Sequence, residues 1–332
     1  MAAPSFPPLN DAYGRVARSL RVSVTDRCNL RCVYCMPEQP RWLPKDDILS
    51  FEELVRVCRV AALCGVEKVR ITGGEPLARK GVPELVRMLK EVPGIRELTM
   101  TSNGMLLPRH ARDLKAAGLD RLTVSLDTLD AERFLRINRR PGLEETLRGM
   151  EAAEKAGFSP LKVNAVVMRG MNDDEVGALA RWARHHGRLL RFIEFMPLEG
   201  DRNWTRERVV PASEILERVR ANFPFRPMPG AARTTAELYE YEDGGGAFGV
   251  IASVTRPFCE DCDRIRITAD GGLRTCLFAQ SALDLRGPMR AGAADAELAA
   301  LLGGAVRGKG PGHLIDLPGF RRPDRAMNAI GG

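Results

Sequence analysis

From Arg21 to about Met196 the chain alternates between two textures, and that alternation constrains its fold more than any other feature. Short β-branched runs occupy 21–26, 69–72, 98–102, 121–127, 162–167 and 191–196. Between them lie Leu-, Ala-, Arg- and Glu-rich stretches of helical period at 51–64, 82–91, 109–117, 144–156 and 173–186. A glycine follows each stretch (Gly65, Gly94, Gly118, Gly157, Gly187), where helices commonly stop. Strands alternating with helices predict parallel βαβ units with right-handed crossovers. Six units fall short of the eight in a closed barrel, so the expectation is an α/β fold. It takes the form of an open, partial parallel β/α barrel or a doubly wound sheet. In either form the working face lies at the C-terminal ends of the strands. Cys28, the Gly73-Gly74-Glu75 turn, Thr101 to Gly104, Ser125 with Asp127, and Glu194 with Met196 follow or end those strands.

At 332 residues the chain has room for about two domains. The texture changes after residue 198, so the barrel is assigned to 1–198 and a C-terminal α+β extension to 199–332. In the extension, a helix capped near Ser213 is expected. A hairpin at 237–254 around Gly244-Gly245-Gly246, and a strand at 264–268 followed by an Asp270-Gly271-Gly272 turn, complete the expectation. Residues 280–325 contain a Gly/Ala-rich patch at 291–305 and receive no role.

Six of the eight cysteines form two triplets. Cys28, Cys32 and Cys35 are spaced C-x₃-C-x₂-C directly after the first strand. Three thiolates cannot close a four-ligand structural zinc site, but they can hold three irons of a [4Fe–4S] cube and leave the fourth iron open. A zinc site completed by a distant histidine, or incidental core thiols, are the competing readings. Cys259, Cys262 and Cys276 repeat the theme as C-x₂-C-x₁₃-C, with no second C-x-x-C to make a zinc ribbon. A second [4Fe–4S] cluster is expected there, with zinc as the alternative. Cys58 and Cys64 are read as thiols without a ligand role.

The C-x₃-C-x-Y-C segment, followed by Gly73-Gly74-Glu75-Pro76 after the second strand, resembles the radical S-adenosylmethionine superfamily. The resemblance implies that the open iron binds S-adenosylmethionine and that one-electron cleavage yields a 5′-deoxyadenosyl radical. It places Tyr34 beside the adenine and Gly74 near the methionyl amine, with Ser125 and Met196 lining the same pocket. RITGGEPL, VSLDTL, RFIEFM, the second triplet and the terminal Asn-Ala-Ile-Gly-Gly narrow the likeness to the GTP-cyclising members that open molybdenum-cofactor biosynthesis. By that likeness GTP is the substrate, and the second cluster binds its guanine. The 3′ hydrogen of the ribose is abstracted and C3′ bonds to guanine C8, giving (8S)-3′,8-cyclo-7,8-dihydroguanosine 5′-triphosphate. Arg21, Lys68, Arg70, Thr101, Lys162, Arg191, Arg264, Ile265 and Arg266 are the implied GTP contacts. Gly331 and Gly332 are the implied catalytic tail. An external electron donor and a downstream cyclic pyranopterin monophosphate synthase are the implied partners, and a homodimer is left open.

The charge supports an anionic ligand. Lys and Arg number 50 against 43 Asp and Glu, a formal excess of +7. With 12 Phe, 4 Tyr and 3 Trp the chain has few stacking platforms for a polymer, so a compact polyanion is expected rather than nucleic acid. No apolar run approaches the ~20 residues of a membrane helix, and the N-terminal prolines do not suit an export signal. A cytoplasmic location away from the membrane is therefore expected. Two other classes compete: a radical peptide-modifying enzyme and a basic, zinc-stabilised RNA-binding module.

Overall fold

The computed structural model describes residues 6–228, 235–315 and 317–331. Its strands are β1 (Ser19–Ser23), β2 (Lys68–Thr72), β3 (Glu97–Ser102), β4 (Arg121–Ser125), β5 (Lys162–Val167), β6 (Leu189–Glu194), β7 (Phe225–Pro227), β8 (Glu237–Tyr241), β9 (Ala247–Ile251), β10 (Arg264–Ile267), β11 (Gly272–Arg274) and β12 (Leu283–Asp284). Its helices are α1 (Phe51–Leu63), α2 (Val82–Lys90), α3 (Leu107–Ala116), α4 (Ala131–Asn138), α5 (Leu143–Lys155), α6 (Val176–His185), α7 (Ala212–Arg220), α8 (Arg286–Arg290), α9 (Asp295–Arg307) and α10 (Met327–Ile330).

All twelve strands belong to one sheet, in the order β12-β11-β10-β1-β2-β3-β4-β5-β6-β9-β8-β7. The pairings from β10 through β1–β6 to β9 are all parallel. The six predicted βα units therefore form the centre, and the C-terminal portion extends the same sheet at both edges. Outward-facing apolar side chains such as Leu20, Val22, Val69 and Ile71 pack with Leu54, Val57 and Leu85 of the helices in the main core. Alternation then turns Arg21, Arg70 and their neighbours to the other face.

The five predicted stop glycines all have positive φ, between 63° and 97°. Three local readings change. Helix α4 was not anticipated; Asp130 caps it by accepting the Arg133 N–H, and Phe134 and Ile137 make its buried face. The patch at 291–305 is largely the helix α9, whose Leu298, Leu302 and Val306 are buried. Ser213 is not a cap: α7 starts at Ala212, whose N–H donates to Glu194 Oε1 at 2.8 Å. Glu194, expected at the mouth, is fully buried and also accepts from the Val254 and Thr255 N–H groups at 2.7 and 2.8 Å. It ties β6 to the extension.

Candidate functional site

The first cysteine triplet occupies the loop after β1. The Leu30 N–H points at Cys28 Sγ at 3.4 Å, and none of the three thiols is in a disulfide. Burial pushes the Cys28 thiol up to about 11 and raises Cys32 and Cys35 further. Gly74 closes the site from β2. A Cβ there would fall 2.4 Å from the Arg27 carbonyl oxygen and 2.5 Å from that of Asp26, so only glycine lets the two loops meet.

Tyr34 donates its hydroxyl to Asp127 Oδ2 at 2.8 Å, and Oδ1 of the same carboxylate accepts the Val166 N–H at 2.8 Å. Burial raises Asp127 to about 6. Asp127 thus fixes the ring that the family resemblance implies for adenine. Glu75 works in the same way on the other flank, accepting from Ser102 Oγ at 2.9 Å and the Asn103 N–H at 2.7 Å. Asn103 in turn directs Nδ2 toward Cys28 Sγ at 3.8 Å. Ser125 ends β4 level with Asn164 of β5. Met196 packs with Val209, Val254 and Ile315 of the extension.

The cationic residues lie farther from the C-terminal ends of their strands than the mouth rule implies. Arg266, Arg21 and Arg70 are register partners on adjacent strands β10, β1 and β2. Neighbouring strands are only about 4.8 Å apart, and like charges at such positions repel. Burial depresses the Arg21 guanidinium well below its usual range, and Arg266, Arg264, Arg70 and Arg191 add repulsion. Arg70 and Arg191 both reach Thr123 Oγ1 at 3.4 Å, and Arg70 also reaches Thr101 Oγ1 at 3.2 Å. Lys162 is lowered to about 8 by burial, with Arg191, Arg121 and Arg70 adding to it. Arg191 Nε and Asn164 Oδ1 are buried without a hydrogen-bond partner.

Two predicted contacts sit apart from this row. Lys68 stands at the exposed start of β2, 3.8 Å from Glu97. Ile265 is fully buried in the main core, so its side chain points away from Arg264 and Arg266.

The second triplet lies beside Arg264. The Phe278 N–H points at Cys276 Sγ at 3.4 Å, and the Arg264 guanidinium lies 3.6 Å from Cys262 Sγ. Burial works against ionisation of Cys262, but Arg264 and Lys309 draw its thiol down to about 7. Burial raises Cys259, partly offset by a hydrogen bond from the His313 N–H. The His313 ring is engaged elsewhere, its Nδ1 accepting the Ile315 N–H at 3.2 Å.

The C-terminal turn connects the two ends. The Met327 N–H lies 3.1 Å from the Cys35 carbonyl and 3.0 Å from that of Leu198. Asn328 donates its backbone N–H to the Cys35 sulfur and its side chain to the Asp26 carbonyl at 3.2 Å. Gly331 accepts from Arg266 Nη1 at 2.7 Å with φ of 83°, and a Cβ there would sit 2.9 Å from Ser23 Cβ. Gly332 lies outside the described residues.

Among the described residues, no group of three or more His, Cys, Asp or Glu side chains is arranged to hold one metal ion. A single zinc needs its thiolates to converge at about 2.3 Å, whereas an iron cube spreads them over separate irons. Each triplet offers three unpaired soft donors and N–H groups directed at sulfur, a donor set that fits a cube. Thr123 and Lys309 escaped the sequence reading, which placed Asp127 at the strand ends and Asn328 in the terminal motif without giving either a role. Thr123 carried a signal there, standing two residues before Ser125 on the same face of β4.

Residues 22–183 match the family described as Radical SAM superfamily, and 189–315 match Molybdenum Cofactor Synthesis C. Streptococcus suis SuiB, solved with S-adenosylmethionine, shares the fold at TM-score 0.59 and 16% identity, over 82% of this chain and 64% of that one. The fold and its first cysteine loop are those of the radical S-adenosylmethionine superfamily. The GTP 3′,8-cyclase of Rhodopirellula baltica is 47% identical over 98% of this chain and 92% of its own. That of Streptomyces coelicolor is 48% identical over 98% and 96%. Within the superfamily, the chain belongs to the GTP 3′,8-cyclase family.

Proposed function

We propose that this protein is a radical S-adenosylmethionine enzyme that cyclises GTP to 3′,8-cyclo-7,8-dihydroguanosine triphosphate in molybdenum-cofactor biosynthesis. The observation that carries the reading is the row Arg266–Arg21–Arg70 on three adjacent strands, with Arg191 and Lys162 near it. One buried and four half-buried cations crowded together make sense only where a polyanion neutralises them. Arginine suits phosphate because its planar fork donates paired hydrogen bonds.

Cys28, Cys32 and Cys35 would hold one [4Fe–4S] cluster, and Cys259, Cys262 and Cys276 a second. A cluster held by Cys28, Cys32 and Cys35 would supply the electron for reductive cleavage of S-adenosylmethionine. The ribose 3′ hydrogen leaves in 5′-deoxyadenosine and C3′ bonds to guanine C8. One further electron from the external donor, with one proton, completes the 7,8-dihydro base. Tyr34, held by Asp127, orients the adenine end. Gly74 keeps the loop between β2 and the cysteines close enough to seal the pocket. Arg21, Arg70, Arg191, Arg266 and Lys162 hold the triphosphate, and Thr101 and Thr123 fix the rotamers of Arg70 and Arg191. Gly331 fills the space between Ser23 and Arg266 and helps exclude water from the reacting carbon. An external donor supplies electrons, and the product passes to a cyclic pyranopterin monophosphate synthase.

The test is anaerobic incubation with S-adenosylmethionine, a strong reductant and GTP deuterated at C3′. Deuterium should appear in 5′-deoxyadenosine, alongside a chromatographically distinct isomer of GTP. Unlabelled 5′-deoxyadenosine, or GTP recovered unchanged, overturns the assignment.

A further inference from the structure

The cysteines of the second site are held from behind by two cations that the reaction described above does not use. Lys309 is 5% exposed. Its ammonium donates to the Cys262 carbonyl at 2.7 Å and the Arg264 carbonyl at 3.1 Å, and it lies 3.6 Å from Cys262 Sγ. Arg15, 9% exposed, grips the other cysteine of the pair, donating from Nη1 to the Cys259 carbonyl at 2.7 Å. The same guanidinium binds the Pro311 carbonyl at 2.8 Å and the Gly310 carbonyl at 2.6 Å, just beyond Lys309. Asp11 orients it, accepting from Nε at 2.5 Å. The backbone of 309–313 presses on the site as well. A Cβ on Gly312 would meet Cys259 Cβ at 2.9 Å and its sulfur at 3.1 Å, so a bulkier residue there would have to move the ligand.

The neighbouring cation, Arg264, belongs to the strand that faces the nucleotide, and it also stacks over Phe258 at 4.8 Å. Lys309 is different: its donors point at the cysteine loop and at the backbone that begins β10. We infer that Lys309, braced by Arg15, is a positioning residue of the second cysteine site. It holds its ammonium against the Cys262 sulfur and sets the starting point of the strand that presents Arg264 and Arg266. This rests on the reading that Cys259, Cys262 and Cys276 hold an iron–sulfur cluster. A fixed cation beside a sulfur ligand favours the more negative, reduced state of a cluster, so its removal lowers the midpoint potential. Outer partners of metal ligands typically contribute about 10- to 100-fold in affinity.

The test uses the full chain carrying Cys28→Ala, Cys32→Ala and Cys35→Ala, reconstituted with iron and sulfide, so that only the second cluster contributes to the spectrum. In that background Lys309→Met should shift the midpoint, followed by paramagnetic resonance, to a more negative value. It should also release iron to a chelator about 10- to 100-fold more readily. Lys309→Arg, which restores a cation, should recover most of both. Should Lys309→Met fail to fold, Lys309→Gln keeps a donor for the Cys262 carbonyl without the charge and carries the same measurement. An unchanged midpoint and unchanged iron retention, even with a lower melting temperature, overturn the inference. Failure of the parent protein with Lys309 intact to bind iron at all would instead overturn the reading of the second triplet.

Discussion

Replacing Arg191 with methionine should stabilise the ligand-free protein while crippling its hold on GTP. Burial, with Arg70 adding repulsion, pulls the Arg191 guanidinium down to about 10 from 12.5. At about 1.4 kcal/mol per tenfold change in proton affinity, the fold carries that charge at a cost of roughly 3 kcal/mol. Its visible compensation is slight: Nη2 lies 3.4 Å from Thr123 Oγ1, and Nε is buried without a partner. Methionine keeps an unbranched, adaptable chain and removes the charge. Allowing about 1 kcal/mol for imperfect packing, the gain is roughly 2 kcal/mol, or several degrees in melting temperature at ~2–4 °C per kcal/mol. With nucleotide bound the sign reverses. A hydrogen bond from a charged donor contributes about 1.5–3 kcal/mol, so GTP should bind roughly 10- to 100-fold more weakly. Anaerobic melting with and without GTP, in the absence of S-adenosylmethionine, reads both effects, and equilibrium dialysis gives the affinity. A variant that melts lower without nucleotide yet binds GTP as tightly as the parent would refute the view of this row as a strained anion site.

Lys162 gives a pH signature. Its ammonium is held near pH 8 in the fold rather than 10.5, so GTP affinity should fall as pH rises through 8, and Lys162→Met should flatten that profile in calorimetric titrations. Because the unfolded chain keeps this proton up to about 10.5, the ligand-free protein should gain stability from this group as pH rises from 8 to 10.5, lose that gain as pH falls back to 8, and show no further change from it below 8. Tyr34→Phe retains the ring but deletes its bond to Asp127, and should weaken S-adenosylmethionine binding about tenfold while leaving GTP affinity intact; parallel loss of both ligands would show a general collapse of the site instead. Cys259→Ala should halve the iron from about 8 to about 4 per chain, retain 5′-deoxyadenosine formation and abolish cyclisation. Retained cyclisation in that variant would remove the second triplet from the reaction.

Much of the architecture was legible because its determinants are local. Periodicity marks β1 to β6, and a glycine marks each helix end, so the parallel core can be read from short windows. The first cysteine loop and the Gly73-Gly74 turn were legible for the same reason. What escaped depends on partners far away in sequence. That β9 and β10 pair with β6 and β1 is a matter of long-range register, which no window contains. The level at which Arg266, Arg21 and Arg70 meet follows from that register. Helix α4 was hidden because only Asp130, Phe134 and Ile137 mark it within a charged run, and α9 because Gly303 and Gly304 dilute its apolar face. Lys309 and Arg15 looked like two more surface cations among fifty basic residues. Only their burial against the backbone of the second cysteine loop sets them apart. Ile265 lies between two arginines in sequence, but strand alternation turns its side chain into the core, leaving only its backbone on their level.

The C-terminal portion lends three strands to each flank of β1–β6, with β10 paired directly to β1 and β9 to β6. Severing the chain near residue 198 would strip both flanks at once and leave β1 and β6 as bare borders open to other chains. The two halves of this enzyme therefore cannot be exchanged like cassettes with those of a cousin. A graft at that junction would have to rebuild the seams on both sides, and with them the spacing of every charge that spans β1 and β10.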